Sequence, residues 1–118
     1  IVAEGCTLVD AEIEQSVIGV RTMVEAGARV YQSVVMGADV YESSIDKMRN
    51  KENGVPNIGI GAGSIIHRAI IDKNARIGAG VIISNDARVP EADGDGYHIR
   101  DGIVVVPKDG IIDDGTRI

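Results

Sequence analysis

The sequence predicts an all-β fold, a hexapeptide-repeat solenoid of stacked β-helix coils, and three observations carry that prediction. Between Ile60 and Val89 aliphatic residues open successive units at Ile60, Ile66, Ile71, Ile77, Ile83 and Val89, six apart except for one five-residue step at Ile66. Leu is almost absent, with 18 Ile and 15 Val beside the single Leu8, and a helical protein would hardly avoid one of the best helix formers. Aromatic residues are also scarce, with three Tyr and no Phe or Trp. The core must then be built from thin aliphatic layers, which suits a narrow solenoid interior.

Each position of the unit has a physical reason. The opening Ile or Val is stiff and branched, favours extended backbone and fills an interior. The fourth position is Gly63, Asn74, Gly80 or Asp86, residue types that tolerate the positive φ of a sharp corner. The fifth is Ser64, Ala75, Val81 or Ala87, kept small because the neighbouring turn lies close. Such units cannot bury their apolar face alone and must stack.

Taken in order, Val2 to Leu8 forms one hexad with Gly5 at the corner and Cys6 as the small fifth residue. The register loosens from Ala11 to Val17 and recovers at Ile18, Val24, Val30 and Met36, with Gly27 and Ala28 as a corner pair. From Ala38 to Asn57 the rule stops in a polar, charged stretch closed by Gly54 and Pro56. That is a loop thrown out of the solenoid, with room for a short helical turn. A second loop is expected over Pro90 to Gly102, PEADGDGYHIRDG. Its Asp and Gly density suggests calcium, but the terminal Glu and alternating oxygen ligands of an EF-hand loop are not in place, so it reads as an acidic surface loop. Spacing returns at Val106, Ile112 and Ile118, with Gly115 and Thr116 at the corner. An uncovered solenoid end is an unpaired sheet edge, so self-association is expected.

Residues 1–118 read as one domain, long enough to bury a core. A net charge of −6 and a pI near 4.8 argue against a nucleic-acid or anionic-membrane surface. No apolar run is long enough to span a bilayer. The lone Cys6 can form no internal disulfide, and a cytoplasmic setting is expected. Because the first residue is Ile rather than Met, the chain is expected to be a fragment of a longer protein.

No phosphate-cradling GxxxxGK[ST] loop, nucleophile elbow or HExxH is present, and Gly61 and Gly63 serve corners better than a dinucleotide fingerprint. His67 and His98 are too few for a three-histidine metal site within one chain. The lysines are more informative. Lys73 and Lys108 are both third residues, of the units opened at Ile71 and Val106. Two ammonium groups presented equivalently on a rigid frame can bind phosphate, particularly with Arg68 or Arg76 nearby; spacing alone favours solvated surface lysines.

The segments RAIIDKNARIG at Arg68 to Gly78, DGIVVVPKDGIIDDGTRI at Asp101 to Ile118, and VVMGADVYESS at Val34 to Ser44 together resemble the carboxy-terminal domain of glucose-1-phosphate adenylyltransferase, also called ADP-glucose pyrophosphorylase, of the cyanobacterial and plant type. The resemblance runs over essentially the whole chain with both loops in place. It implies a left-handed parallel β-helix that follows an N-terminal nucleotidyltransferase domain absent from this chain. It implies a parent enzyme that makes ADP-glucose and pyrophosphate from ATP and glucose 1-phosphate with magnesium, for glycogen or starch synthesis. No catalytic residue and no cofactor is expected in this domain. The resemblance assigns Lys73 and Lys108 to an activator site for a phosphorylated metabolite such as 3-phosphoglycerate, with Pro107 standing where an apolar residue is more usual. It also implies tetramer contacts within a homo-oligomer. Two rival readings are a hexapeptide-repeat acyltransferase, using His67 or His98 as general base at a trimer interface, and a purely structural assembly module.

Overall fold

A computed structural model describes residues 1–118, which wind into stacked three-sided coils. The first coil carries β1 (Thr7–Leu8) and β2 (Glu12–Glu14), and the second β3 (Val17–Ile18), β4 (Met23–Val24) and β5 (Arg29–Tyr31). In the third, β6 (Val34–Val35) is followed by an insertion bearing α1 (Ser44–Glu52), then by β7 (Gly59–Ile60) and β8 (Ile65–His67). The fourth comprises β9 (Ala69–Ile71), β10 (Arg76–Ile77) and β11 (Ile82–Ile83). A hairpin, β12 (Glu91–Gly94) and β13 (Tyr97–Arg100), precedes the last coil with β14 (Ile103–Val106) and β15 (Ile111–Ile112). The three sides form parallel sheets in the orders β1-β4-β7-β10-β15, β11-β8-β5-β2 and β14-β9-β6-β3, the last extended by the hairpin.

Register explains the five-residue step. Partners lie 17 residues apart where no insertion intervenes, as in Glu12 with Arg29, Val17 with Val34 and Ile65 with Ile82. Two sides of each coil advance by six residues and the third by five, so the step at Ile66 is the rule for one corner. Gln15, Gln32, Arg68 and Asn85 occupy that corner in successive coils, with φ of 48°, 49°, 53° and 50°. Buried hydroxyls pin it. The Ser16 hydroxyl accepts from the Ser33 amide at 3.1 Å, and the Ser33 hydroxyl accepts from the Ala69 amide at 3.1 Å. Ser64 does the same at the neighbouring corner, donating to the Gly78 carbonyl and accepting from the Val81 amide. Buried polar groups are tolerated because each is hydrogen-bonded, and no buried side-chain nitrogen or oxygen lacks a partner.

The core is one aliphatic column, in which Ile18, Val30, Ile66 and Ile83 are fully buried. Several openers differ from the expectation. Val35, at 3% exposure, fills the interior, and Met36, at 45%, faces out, because the five-residue step also operates there. The register does not loosen from Ala11 to Val17, since β2 pairs in step with β5. Asp86 and Ala87 form no corner pair: both are exposed, and the buried Asn85 makes the turn instead. Its side chain bonds the Val89 backbone and the Gly102 carbonyl, closing the base of the hairpin.

Neither interruption is a plain loop. Within residues 90–102, β12 pairs antiparallel with β13 and β13 pairs antiparallel with β14, and Ile99 enters the core at 4% exposure, so the hairpin covers what would be an open edge. Residues 38–57 contain the nine-residue α1, closed by a capping box: Ser43 accepts from the Asp46 amide and Asp46 accepts from the Ser43 amide. No residue of α1 is buried, so its neighbours rather than a packed face hold it in place.

Ile66→Ala should lower stability by about 2–5 kcal/mol. Val35→Ala should cost about 1–3 kcal/mol, and Met36→Ala should stay within about 0.5 kcal/mol. Urea denaturation of the three variants checks the register, and a larger loss at Met36 than at Val35 would refute it.

Candidate functional site

The coil geometry brings Lys73 and Lys108 together. Both follow strands of the same sheet, with Ile71 in register with Val106, and the Asp109 amide donates to the Lys73 carbonyl at 3.0 Å. The two lysines therefore occupy one corner on adjacent coils. Beneath them the same corner is formed by Gly37, whose carbonyl accepts from the Asn74 amide at 3.1 Å. Gly37 has φ +100°, and a Cβ there would lie 2.4 Å from the Val20 carbonyl oxygen. Only glycine lets the chain turn out of the solenoid here, and two residues later it delivers Asp39 to the side of Lys73.

Asp39 is held from two directions. Its carboxylate accepts from the Asn74 amide group at 3.0 Å and pairs with the Lys73 Nζ at 3.3 Å, while its own backbone N–H donates to Asn74 Oδ1 at 2.9 Å. The Asn74 hydrogen bond first, then Lys73, and at longer range the charge of Lys108, hold the Asp39 carboxyl below its ordinary value of 3.8. Both members of the pair are about half exposed, at 45% and 48%, so the contact is a weak solvated one. Lys108 is exposed and has no carboxylate within ion-pair distance.

The arginines weighed beside the lysines go elsewhere. Arg68 sits on the five-residue corner and, with Arg88 and Asp101, lines a separate open groove of about 560 Å³. Arg76 is taken up by structure, donating to Glu42 at 3.1 Å and to the Pro56 carbonyl at 2.9 Å. Glu42 is the main anchor of the insertion, with a side chain only 7% exposed. Burial pushes its carboxyl up, but the Ile58 N–H, the Asn50 amide and the Arg76 guanidinium together hold it below the ordinary 4.5. Sequence reasoning missed Asp39 and Glu42, since both lie inside the interruption, where the repeat no longer assigns positions.

The largest groove, about 680 Å³, runs between α1 and the corners at Gly61 and Gly78. Neither it nor the second groove includes Lys73 or Lys108. The histidines are dispersed: His67 lies edge-on to Tyr31, and His98 Nδ1 contacts Asp93 at 2.8 Å on the exposed hairpin. Cys6 donates to the Gly19 carbonyl at 3.0 Å and packs against the core as a small residue. No three His, Cys, Asp or Glu side chains converge on a metal-sized site, and no helix is long and apolar enough to cross a membrane.

Residues 1–117 match a family model described as the GLGC left-handed parallel beta-helix domain. The chain is 47% identical over 120 aligned residues to a glucose-1-phosphate adenylyltransferase small subunit, chloroplastic/amyloplastic, of Triticum aestivum. The alignment covers all of this chain and 25% of the wheat protein, so the chain spans about a quarter of that relative's length.

The Glu42 carboxyl has a lowered folded pKa, so its stabilisation is complete above about pH 4.5 and is lost as the pH falls through the folded value. The thermal midpoint of the unsubstituted chain should therefore hold from pH 6 to about pH 4.5 and fall below it, and Glu42→Gln should be less stable at pH 6 yet lose less on acidification. Equal acid losses in both proteins would remove Glu42 from this role.

Proposed function

The chain belongs to the GLGC left-handed parallel β-helix domain family, and from that premise we propose that it is the regulatory and oligomerisation domain of a glucose-1-phosphate adenylyltransferase. The parent enzyme in this reading joins ATP and glucose 1-phosphate to give ADP-glucose and pyrophosphate. Catalysis and the magnesium ion belong to the N-terminal nucleotidyltransferase domain. This chain offers no cluster of acidic ligands for the metal.

The observation that carries the regulatory reading is the stacking of Lys73 and Lys108 on one corner of adjacent coils. Two ammonium groups so placed present a doubly positive face to a phosphate, on a frame stiffened by the aliphatic column below. That neither lysine lines either groove fits a site shared with the catalytic domain, which would supply the remaining contacts. Binding activates if the ligand holds the active arrangement of the two domains more tightly than the inactive one. The effector in this reading is a phosphorylated metabolite, and the assembly is a homo-oligomer, a tetramer. For the location we propose the cytoplasm, a reducing setting that suits the free Cys6, whereas the wheat protein's name places that relative in a plastid.

Pyrophosphate release by the full-length protein from ATP and glucose 1-phosphate tests the reading. We expect release that 3-phosphoglycerate or fructose 1,6-bisphosphate accelerates. Lys73→Ala and Lys108→Ala should each raise the activator concentration needed by about tenfold or more, with turnover in the absence of activator unchanged. Equal loss of activated and unactivated turnover would make the lysines structural, and no release at all would reject the enzyme.

A further inference from the structure

We infer that Asp39 is a built-in counter-charge at the lysine corner, a carboxylate that competes with a phosphate ligand for Lys73, and that it sets the affinity and charge selectivity of the site. The inference rests on the assignment of Lys73 and Lys108 proposed above and adds the group that competes for them. Three contacts place it. Asp39 Oδ1 lies 3.3 Å from Lys73 Nζ, its other oxygen takes the Asn74 amide at 3.0 Å, and its backbone N–H is fixed by Asn74 Oδ1 at 2.9 Å. Oδ1 holds one of the three donors of the half-exposed Lys73 ammonium, so a phosphate arriving there meets a cation already partly neutralised and competes with a like charge for it.

The competition is graded by charge. A single carboxylate, half exposed, makes only a weak pair with one lysine. A phosphate monoester carries nearly two negative charges and three acceptor oxygens, enough to engage Lys73 and Lys108 together. A dianion can therefore evict Asp39 while a monocarboxylate gains little by the exchange. Eviction also has a defined reach. Asp39 is at the root of the insertion, and Glu42, three residues on, stays buried against Arg76, Asn50 and the Ile58 amide. Displacement frees the Asp39 carboxylate alone: the Asp39 N–H stays on Asn74 Oδ1, the Tyr41 hydroxyl stays on the Gly5 carbonyl and α1 stays anchored through Glu42, so the change on ligand arrival is confined to the corner.

The test uses the full-length protein that carries this chain, titrated calorimetrically with 3-phosphoglycerate and with inorganic phosphate. Asp39→Asn keeps a side chain able to hydrogen-bond Asn74 while removing the charge, and a matched thermal midpoint will show that it folds. We expect Asp39→Asn to tighten binding of both probes by about two- to fivefold, and Lys73→Ala to weaken it by about tenfold. Unchanged or weaker binding in Asp39→Asn, with Lys73→Ala still impaired, would overturn the counter-charge role and leave the lysine site standing. No effect of Lys73→Ala or Lys108→Ala would overturn the site and this inference together.

Discussion

Each coil of this protein is stable only because another lies against it. Strands of two to four residues are too short to persist alone, and each depends on ladder bonds to the coil above and below and on burying its branched side chain in the common column. Ile18, Val24, Ile60, Ile66, Ile77 and Ile83 are at most 1% exposed because they face one another across a narrow triangular interior. This mutual dependence accounts for the aliphatic composition, since a Phe or Trp would not fit the layer thickness. It also accounts for the buried serines, whose hydroxyls complete the backbone bonding where a corner turns too tightly for the ladder.

The same dependence turns sequence distance into spatial equivalence. Positions one coil apart must stack, so Lys73 and Lys108 share a corner although the hairpin intervenes between them. The frame is rigid where it is stacked and permissive at its corners, and both excursions from the solenoid leave at corners. One is folded back as a hairpin that seals the end of a sheet through Ile99. The other carries α1, which buries nothing and is tied down through a few polar side chains. Glu42 and Arg76 form the firm tie because they are shielded from water; Asp39 and Lys73 form the loose one because they are not.

Much of this was legible in the residues. The six-residue repeat from Ile60 to Ile83 gave the coils, the corner glycines and Asn74 gave the turns, and the shared third position of Lys73 and Lys108 identified two candidate ligands for an anion. The errors have a common physical origin. A strict six-residue count makes Met36 an opener because it passes over the shorter third side, which reveals itself only when neighbouring coils are aligned. In sequence the hairpin reads as an acidic loop because its alternation is short, and its apolar residues, Ala92, Tyr97 and Ile99, become meaningful only against the core and the open edge of β14.

What the sequence determined by itself is whatever repeats: the solenoid, its aliphatic interior and the equivalence of the lysine positions, since a periodic pattern carries its own register. What only the tertiary structure decided is where the non-repeating segments return. Asp39 and Asn74, 35 residues apart, meet because Gly37 turns the chain outward directly beneath the lysine corner, and Glu42 reaches Arg76 because the insertion folds back onto the next coil. Such contacts depend on the path of one particular loop across a surface, and no spacing rule encodes that path.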